Sequence, residues 1–127
     1  MKFSLWPAAI ALSLLAGCAA TPTTTAPTMA KGGMLVDARG MTLYTFDRDV
    51  ANSGKSVCNG DCAVKWPPLF AKADDKPAGD YTVVTRDDGK KQWALKGKPL
   101  YYWPEDQEPG DKYGDNYNKV WHVVPAQ

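Results

Sequence analysis

The sequence has little cysteine, little histidine and no long apolar run. Its 127 residues include three cysteines and one histidine, so a zinc or copper site would need ligands of other types. The longest apolar stretch, residues 5–15, is about half the roughly 20 residues that a membrane-spanning helix needs. A nucleophile elbow, a zinc-protease helix, a phosphate loop and a dinucleotide fingerprint are all missing from the sequence. We therefore expect a protein that is not an enzyme.

The first residues are typical of an export signal. Lys2 gives a basic start, residues 5–15 give the apolar core, and residues 15–18 read Leu-Ala-Gly-Cys. This ending resembles a lipobox, in which small residues admit the signal peptidase and the cysteine thiol accepts diacylglycerol. An ordinary secretory signal with an incidental cysteine is the alternative. We expect residues 1–17 to be removed and Cys18 to be lipidated.

A lipid on Cys18 would set the location of the protein. Acyl chains contribute about 0.8 kcal/mol per buried methylene, and more than one chain anchors stably. Ala19 follows the cysteine, where Asp would favour retention at the inner membrane. The sequence therefore predicts an exported, lipid-anchored envelope protein, on the outer membrane and facing the periplasm if the host is Gram-negative.

The mature chain is nearly neutral and begins with a low-complexity segment. Residues 18–127 carry 14 Lys and Arg against 14 Asp and Glu, with no basic block, which argues against nucleic acid or an anionic membrane surface as partner. Residues 19–33 are mostly Thr, Ala, Pro and Gly, so residues 18–33 are predicted to be the lipidated cysteine and a flexible tether. Residues 34–127 then form a single domain.

The cysteines support one disulfide. With Cys18 lipidated, Cys58 and Cys62 remain as a pair in an oxidising compartment. Closing so short a loop contributes about 2 kcal/mol in the chain-entropy model. A redox pair is one alternative, although its usual spacing is Cys-x-x-Cys. A copper-type metal site that includes His122 is the other.

Short strands separated by turn signals predict a mostly β, antiparallel domain. Tyr44 and Phe46 fall on one face of a strand, and Asp61 could cap a short helix over residues 62–66. The predicted strands are residues 34–38, 41–46, 81–86, 91–95, 100–103 and 119–124.

An internal repeat runs through the domain at an offset of 57, because residues 40–49 align with residues 97–106. Trp66 is matched loosely by Trp121, which gives repeats of approximately 34–70 and 91–125. Each repeat alone is too small to bury its face, so we expect two pseudo-symmetric halves of one core. The recurring motif residues are Tyr44, Phe46 and Asp49, and then Tyr101, Trp103 and Asp106.

These motifs resemble one family, the secreted-repeat lipoproteins with a Tyr-x-[Phe/Trp/Tyr]-x-x-Asp motif. The Cys-x-x-x-Cys segment with its following Trp-Pro-Pro-Leu, and the Gly-Lys-Pro-Leu-Tyr segment at residues 97–101, match in order. The resemblance covers residues 34–125 and implies an exported, often lipid-anchored, two-repeat domain without an established activity. The second repeat departs from the first, since residues 112–118 stand where a cysteine pair would be.

The repeated motif has two interpretations. Its aromatic residues could be core, with Asp49 and Asp106 capping turns. They could instead line a groove for sugar rings or peptide. Duplication favours packing.

The remaining candidates are metal ligands. The acidic loop of residues 105–116 offers oxygen ligands that suit calcium, among them Asp111 and Asp115, but a solvated loop is the simpler interpretation. His122 with Cys58 and Cys62 would suit copper. We expect no cofactor and no bound metal.

We expect a non-enzymatic binding or scaffolding domain of the envelope, with an envelope protein or the cell wall as possible partner. The alternatives are a redox or copper protein that uses Cys58 and Cys62, and a carbohydrate or peptidoglycan binder that uses exposed aromatic residues.

Overall fold

The computed structural model describes residues 26–127, and short strands dominate them. Within this part of the chain, one α-helix and a 3-10 helix at Tyr117–Lys119 interrupt the strands. In chain order the elements are β1 (Met29–Lys31), β2 (Met34–Val36), β3 (Tyr44–Phe46), α1 (Asp61–Lys65), β4 (Tyr81–Thr85), β5 (Lys91–Leu95), β6 (Lys98–Pro99), the 3-10 helix, and β7 (Trp121–Val123). None of the described helices has the length and apolar character of a membrane span.

The strands form three small antiparallel sheets, ordered β1-β2, β3-β7 and β4-β5-β6. Sheet β3-β7 joins the two ends of the domain, because Tyr44 pairs with Val123. Isolated bridges connect the sheets, and Tyr101 bridges both Tyr44 and Pro68. The mostly β, antiparallel fold class with short helical turns and one disulfide is therefore confirmed.

The core has two parts, and the repeats contribute to both. Leu43 and Leu100 lie in an aliphatic cluster, whereas the next residues, Tyr44 and Tyr101, lie in an aromatic cluster. Successive side chains of an extended chain point to opposite sides. The extended segment of each repeat therefore separates the two clusters. Its leucine packs into the aliphatic cluster, and its tyrosine packs into the aromatic cluster on the opposite face. All four side chains have no exposed area.

The predicted tether extends too far along the chain. Met29–Lys31 lies within it but forms β1, which pairs with β2 through the register Lys31 to Met34. Gly32 and Gly33 both have positive φ, 60° and 76°, and so make a two-residue turn that glycine adopts without strain. All three residues of β1 are exposed. Backbone pairing forms this strand, so a search for residues to bury misses it.

Two local expectations were also wrong. Asp61 is the first residue of α1 and makes no capping hydrogen bond. Gly60 occupies the cap position with φ 60° and ψ −126°, a backbone conformation that residues other than glycine disfavour. The strand expected over residues 100–103 is replaced by the isolated bridges of Tyr101, and the neighbouring strand β6 lies before it at Lys98–Pro99.

Candidate functional site

The two repeats meet where Tyr44 and Tyr101 lie side by side. Each residue donates its backbone N–H to the carbonyl oxygen of the other, and both N···O distances are 2.9 Å. The exchange of two bonds between equivalent residues is the pattern of a closely spaced antiparallel pair. It places an approximate twofold axis between the two motif tyrosines.

The motif side chains are exchanged between repeats. The hydroxyl of Tyr44 donates to Asp106 Oδ2 at 2.5 Å, and the hydroxyl of Tyr101 donates to Asp49 Oδ2 at 2.6 Å. Each aspartate uses its other oxygen to accept a backbone N–H of its own loop, from Val57 at 2.8 Å in the first repeat and from residue 113 at 2.9 Å in the second. Asp49 and Asp106 therefore hold their own loops and also the opposite repeat.

Burial raises the pKa of both motif tyrosines. Burial raises the pKa of Tyr44 above its ordinary value, and the hydrogen bond to the carboxylate of Asp106 raises it further. Burial also raises the pKa of Tyr101, and the bond to Asp49 adds to the effect. Both hydroxyls therefore act as hydrogen-bond donors at neutral pH, and a role as a nucleophile would need a phenolate that this environment disfavours.

Four aromatic rings form a continuous column beside these tyrosines. Trp66 and Trp121, the matched tryptophans of the two repeats, stack at 3.8 Å between centroids with planes 4° apart. Phe46 stacks on Trp121 at 4.1 Å, and Trp103 packs on Trp66 at 4.4 Å. The order Phe46, Trp121, Trp66, Trp103 alternates first repeat, second, first, second. The column therefore needs both halves.

The predicted disulfide between Cys58 and Cys62 is confirmed. Cys58 is fully buried in the aromatic cluster. Its carbonyl oxygen accepts a bond from Arg86 Nη2 at 2.5 Å, and its N–H donates to Ser56 Oγ at 3.1 Å. Ser56 Oγ also lies 2.6 Å from the hydroxyl oxygen of Tyr101. The disulfide loop therefore fixes the surroundings of one motif tyrosine.

The second repeat replaces the disulfide loop with close packing. Gly114 donates its N–H to the hydroxyl oxygen of Tyr44 at 3.2 Å. A Cβ atom at this glycine would lie 2.8 Å from Trp66 and 2.9 Å from Trp103. The acidic loop can pack against the column because Gly114 has no side chain. The first repeat positions its motif tyrosine with a disulfide loop, and the second repeat does so with a glycine.

The candidate metal ligands are engaged in bonds within the protein. His122 Nε2 lies 2.8 Å from Asp47 Oδ2 on the surface. Asp111 Oδ2 accepts two backbone N–H groups of its own loop, and Asp115 Oδ1 accepts the N–H of Val123. Within residues 26–127, no three His, Cys, Asp or Glu side chains form a group that could hold a metal ion.

One polar cluster escaped the sequence analysis. Asp37 is buried, and its Oδ2 accepts bonds from the Tyr102 hydroxyl at 2.7 Å and from Arg39 Nη2 at 3.1 Å. Burial would raise the pKa of Asp37, but the hydrogen bonds from Tyr102, Met41 and Arg39 outweigh it and lower the pKa. The sequence indicates this cluster only through a turn that contains Asp37 and Arg39. Tyr102 gives no signal, because it occupies a position of the motif at which any residue is allowed.

Two pseudo-equivalent halves around a shared aromatic and carboxylate centre define a two-repeat β domain. A family model described as a secreted repeat of unknown function matches residues 25–70 and again residues 82–125. The chain belongs to this family, as its motifs predicted, and each matched repeat begins nine residues before the expected boundary at 34 or 91. No curated protein matches the chain, and no solved structure does.

Proposed function

We propose that this protein is a non-enzymatic binding domain that a lipid on Cys18 anchors in the cell envelope. Support for export comes from the family, which is one of secreted repeats. Support for the lipid comes from the Leu-Ala-Gly-Cys ending of the leader and from Ala19, which favours the outer membrane. Cys18 and Ala19 lie outside the described residues, so this part of the proposal rests on the sequence.

The observation that carries the non-enzymatic part is the exchange of motif side chains between repeats. Tyr44 and Tyr101 donate to Asp106 and Asp49, and each aspartate also accepts a backbone N–H. The most chemically capable residues of the motif are thereby engaged in holding the repeats together. A rigid scaffold of this kind leaves recognition to the surface that surrounds it.

The redox or copper alternative uses residues that the fold engages in other ways. Cys58 and Cys62 are bonded to each other, and His122 is paired with Asp47. The carbohydrate alternative is supported by exposed aromatic rings outside the motif. Apart from Trp103, the motif rings are buried, but Phe70, Tyr113 and Tyr117 are 51%, 70% and 41% exposed. Binding through aromatic residues would therefore use rings other than most of the motif.

Metabolic labelling with a clickable fatty acid tests the anchor. The wild-type protein should incorporate the label and fractionate with the outer membrane of a Gram-negative host. Cys18→Ser should lose both the label and the membrane association, and Cys58→Ser with Cys62→Ser should keep both because those cysteines lie in the domain. An unlabelled wild-type protein that is released in soluble form would refute the anchor.

A further inference from the structure

A groove on the surface of the domain joins aromatic rings and cations. Two depressions of about 510 and 450 Å³ share Arg39 and Tyr102, and the second shares Phe70 with a third. We call this surface the cation–aromatic groove, and its defining residues are Trp103, Tyr102, Arg39, Phe70, Lys72 and Lys90. Depressions that adjoin in a row suit an extended chain better than one compact molecule.

The aromatic residues of this groove keep exposed ring surface. Trp103 and Tyr102 are half-buried, and Phe70 is exposed. Two of the rings carry a cation above them. Arg39 Cζ lies 5.7 Å from the centroid of Tyr102, and Lys90 Nζ lies 5.6 Å from the centroid of Phe70. A cation at this distance is attracted by the ring face, so its position is restricted before a ligand arrives.

Arg39 is oriented by a buried carboxylate. Its Nε and Nη2 atoms both donate to Asp37 Oδ2, while its own side chain remains 73% exposed. A guanidinium has five N–H donors, and these two bonds leave three of them without a bond to Asp37. An arginine that is oriented by a buried carboxylate and an aromatic ring is suited to bind an anion in two-point fashion.

The lining of the three depressions carries four cations, Arg39, Lys72, Lys90 and Lys91, and three carboxylates, Asp37, Asp75 and Asp106, so its formal charge is +1. Asp37 and Asp106 each have both carboxylate oxygens engaged in bonds within the protein. Asp75 Oδ2 accepts the backbone N–H of Lys72 at 2.7 Å. These bonds do not remove the charge of the carboxylates, but they occupy their acceptor atoms. The side chains of Arg39 and Lys72 keep N–H donors for a ligand, so the groove favours an anionic partner.

We propose that the cation–aromatic groove binds a linear glycan that carries carboxylate groups. The C–H face of a sugar ring is apolar and packs on an aromatic face, and a carboxylate matches the fork of Arg39. A peptide strand is less suited, because Pro67 and Pro104 line the groove and have no N–H for strand pairing. The inference rests on the proposed function only in requiring that the domain face wall or capsule material outside the cell.

The test uses purified mature protein in detergent and isothermal titration calorimetry with a hexamer of galacturonic acid. The fully methyl-esterified hexamer is the matched ligand without charge. We expect the acidic hexamer to bind at least tenfold more tightly than the ester. Arg39→Gln should weaken binding of the acidic hexamer at least tenfold, and Arg39→Lys should recover only part of the loss because lysine lacks the fork. Phe70→Ala should weaken the binding of both hexamers.

Two controls match these variants. Arg48→Gln removes an exposed arginine outside the groove, and Val64→Ala trims an exposed apolar side chain outside it, so both should bind within twofold of wild type. An unchanged thermal midpoint of Arg39→Gln shows that its loss of binding is local. Equal binding of the two hexamers, or equally tight binding of a thymidine hexanucleotide, would overturn the glycan proposal. Binding of wall sacculi that Arg39→Gln leaves intact would overturn the groove but keep an envelope-binding function.

Discussion

Tyr101 of the second repeat donates its hydroxyl hydrogen to Asp49 of the first, across 52 positions of sequence and 2.6 Å of space. The mirror contact joins Tyr44 to Asp106 at 2.5 Å. Within one motif the tyrosine and the aspartate are five residues apart, and the structure pairs neither tyrosine with the aspartate of its own motif. The motif therefore acts as a connector between repeats, and both copies must be present for either to be satisfied.

A double-mutant cycle tests this exchange. Tyr44→Phe and Asp106→Asn should each cost about 1–3 kcal/mol, because each leaves a buried polar partner unsatisfied. The two should couple by more than about 0.5 kcal/mol in the free energy of unfolding. The matched control is the pair within one motif, Tyr44→Phe with Asp49→Asn, whose effects should be closer to additive. Urea unfolding followed by circular dichroism measures both cycles, and stronger coupling within the motif would contradict the exchange.

Stacking of Trp66 on Trp121 should give a spectroscopic signature. Two indoles at 3.8 Å with nearly parallel planes form a coupled pair, so the circular dichroism of the native protein should contain an exciton contribution. Trp66→Leu should remove it, because Trp66 contacts both of the other tryptophans in the column, whereas Trp121→Leu should reduce it and leave the pair of Trp66 with Trp103. Each change should cost about 3 kcal/mol, at the low end of the range for Trp→Ala since leucine refills part of the volume.

Trp93→Leu is the control for this signature. Trp93 is 5% exposed but lies in the aliphatic cluster, so its replacement should destabilise the domain to a similar extent and leave the exciton contribution in place. An exciton contribution that survives in Trp66→Leu, or one that disappears in Trp93→Leu, would be inconsistent with the column.

The sequence predicted the fold class, the disulfide and the repeat, and it did so because each depends on local signals. Alternating apolar and polar residues bounded by turn residues predict short strands. Cys58 and Cys62 are the two cysteines that remain when Cys18 is assigned to lipidation, so they predict one disulfide. The partner of each motif aspartate could not be predicted in this way. An offset of 57 shows that Asp49 and Asp106 are equivalent, but not whether each bonds within its own repeat or to the other.

The cation–aromatic groove was missed for a related reason. Arg39 and Tyr102 lie 63 positions apart in the sequence, and no periodic pattern connects them. Tyr102 follows the motif tyrosine and points to the opposite side, where it meets the buried carboxylate of Asp37. Its role depends on how the two halves pack, which is a tertiary property. The exposed strand β1 was missed because backbone pairing alone forms it.

Alkaline pH should destabilise the domain through its buried tyrosines. Burial raises the pKa of Tyr44, Tyr101 and Tyr102 above the ordinary value near 10. Folding therefore favours the protonated forms. Their contribution to stability is complete below about pH 10, and it falls as the pH rises toward the folded-state values, because unfolded tyrosines ionise first.

Absorbance at 295 nm measures this ionisation. Three of the six tyrosines should ionise together with the loss of near-ultraviolet circular dichroism. Tyr101→Phe should reduce the amplitude of that cooperative step by about one third. Reversible ionisation of all six tyrosines near pH 10, with the dichroism intact, would show that these hydroxyls are not held as the structure indicates.

Removal of the disulfide should destabilise the first repeat and perturb Tyr101. The loop between Cys58 and Cys62 is short, so the chain-entropy model gives about 2 kcal/mol for its closure. Cys58→Ala with Cys62→Ala should lower the free energy of unfolding by about this amount, with an unchanged dependence on denaturant concentration.

Because the same loop positions Ser56 against the hydroxyl of Tyr101, the variant should also reduce the coupling between Tyr101→Phe and Asp49→Asn. The coupling between Tyr44→Phe and Asp106→Asn should be retained, since Gly114 rather than a disulfide contacts that tyrosine. Equal loss of both couplings would mean that the disulfide acts on the whole core and not on one half of it.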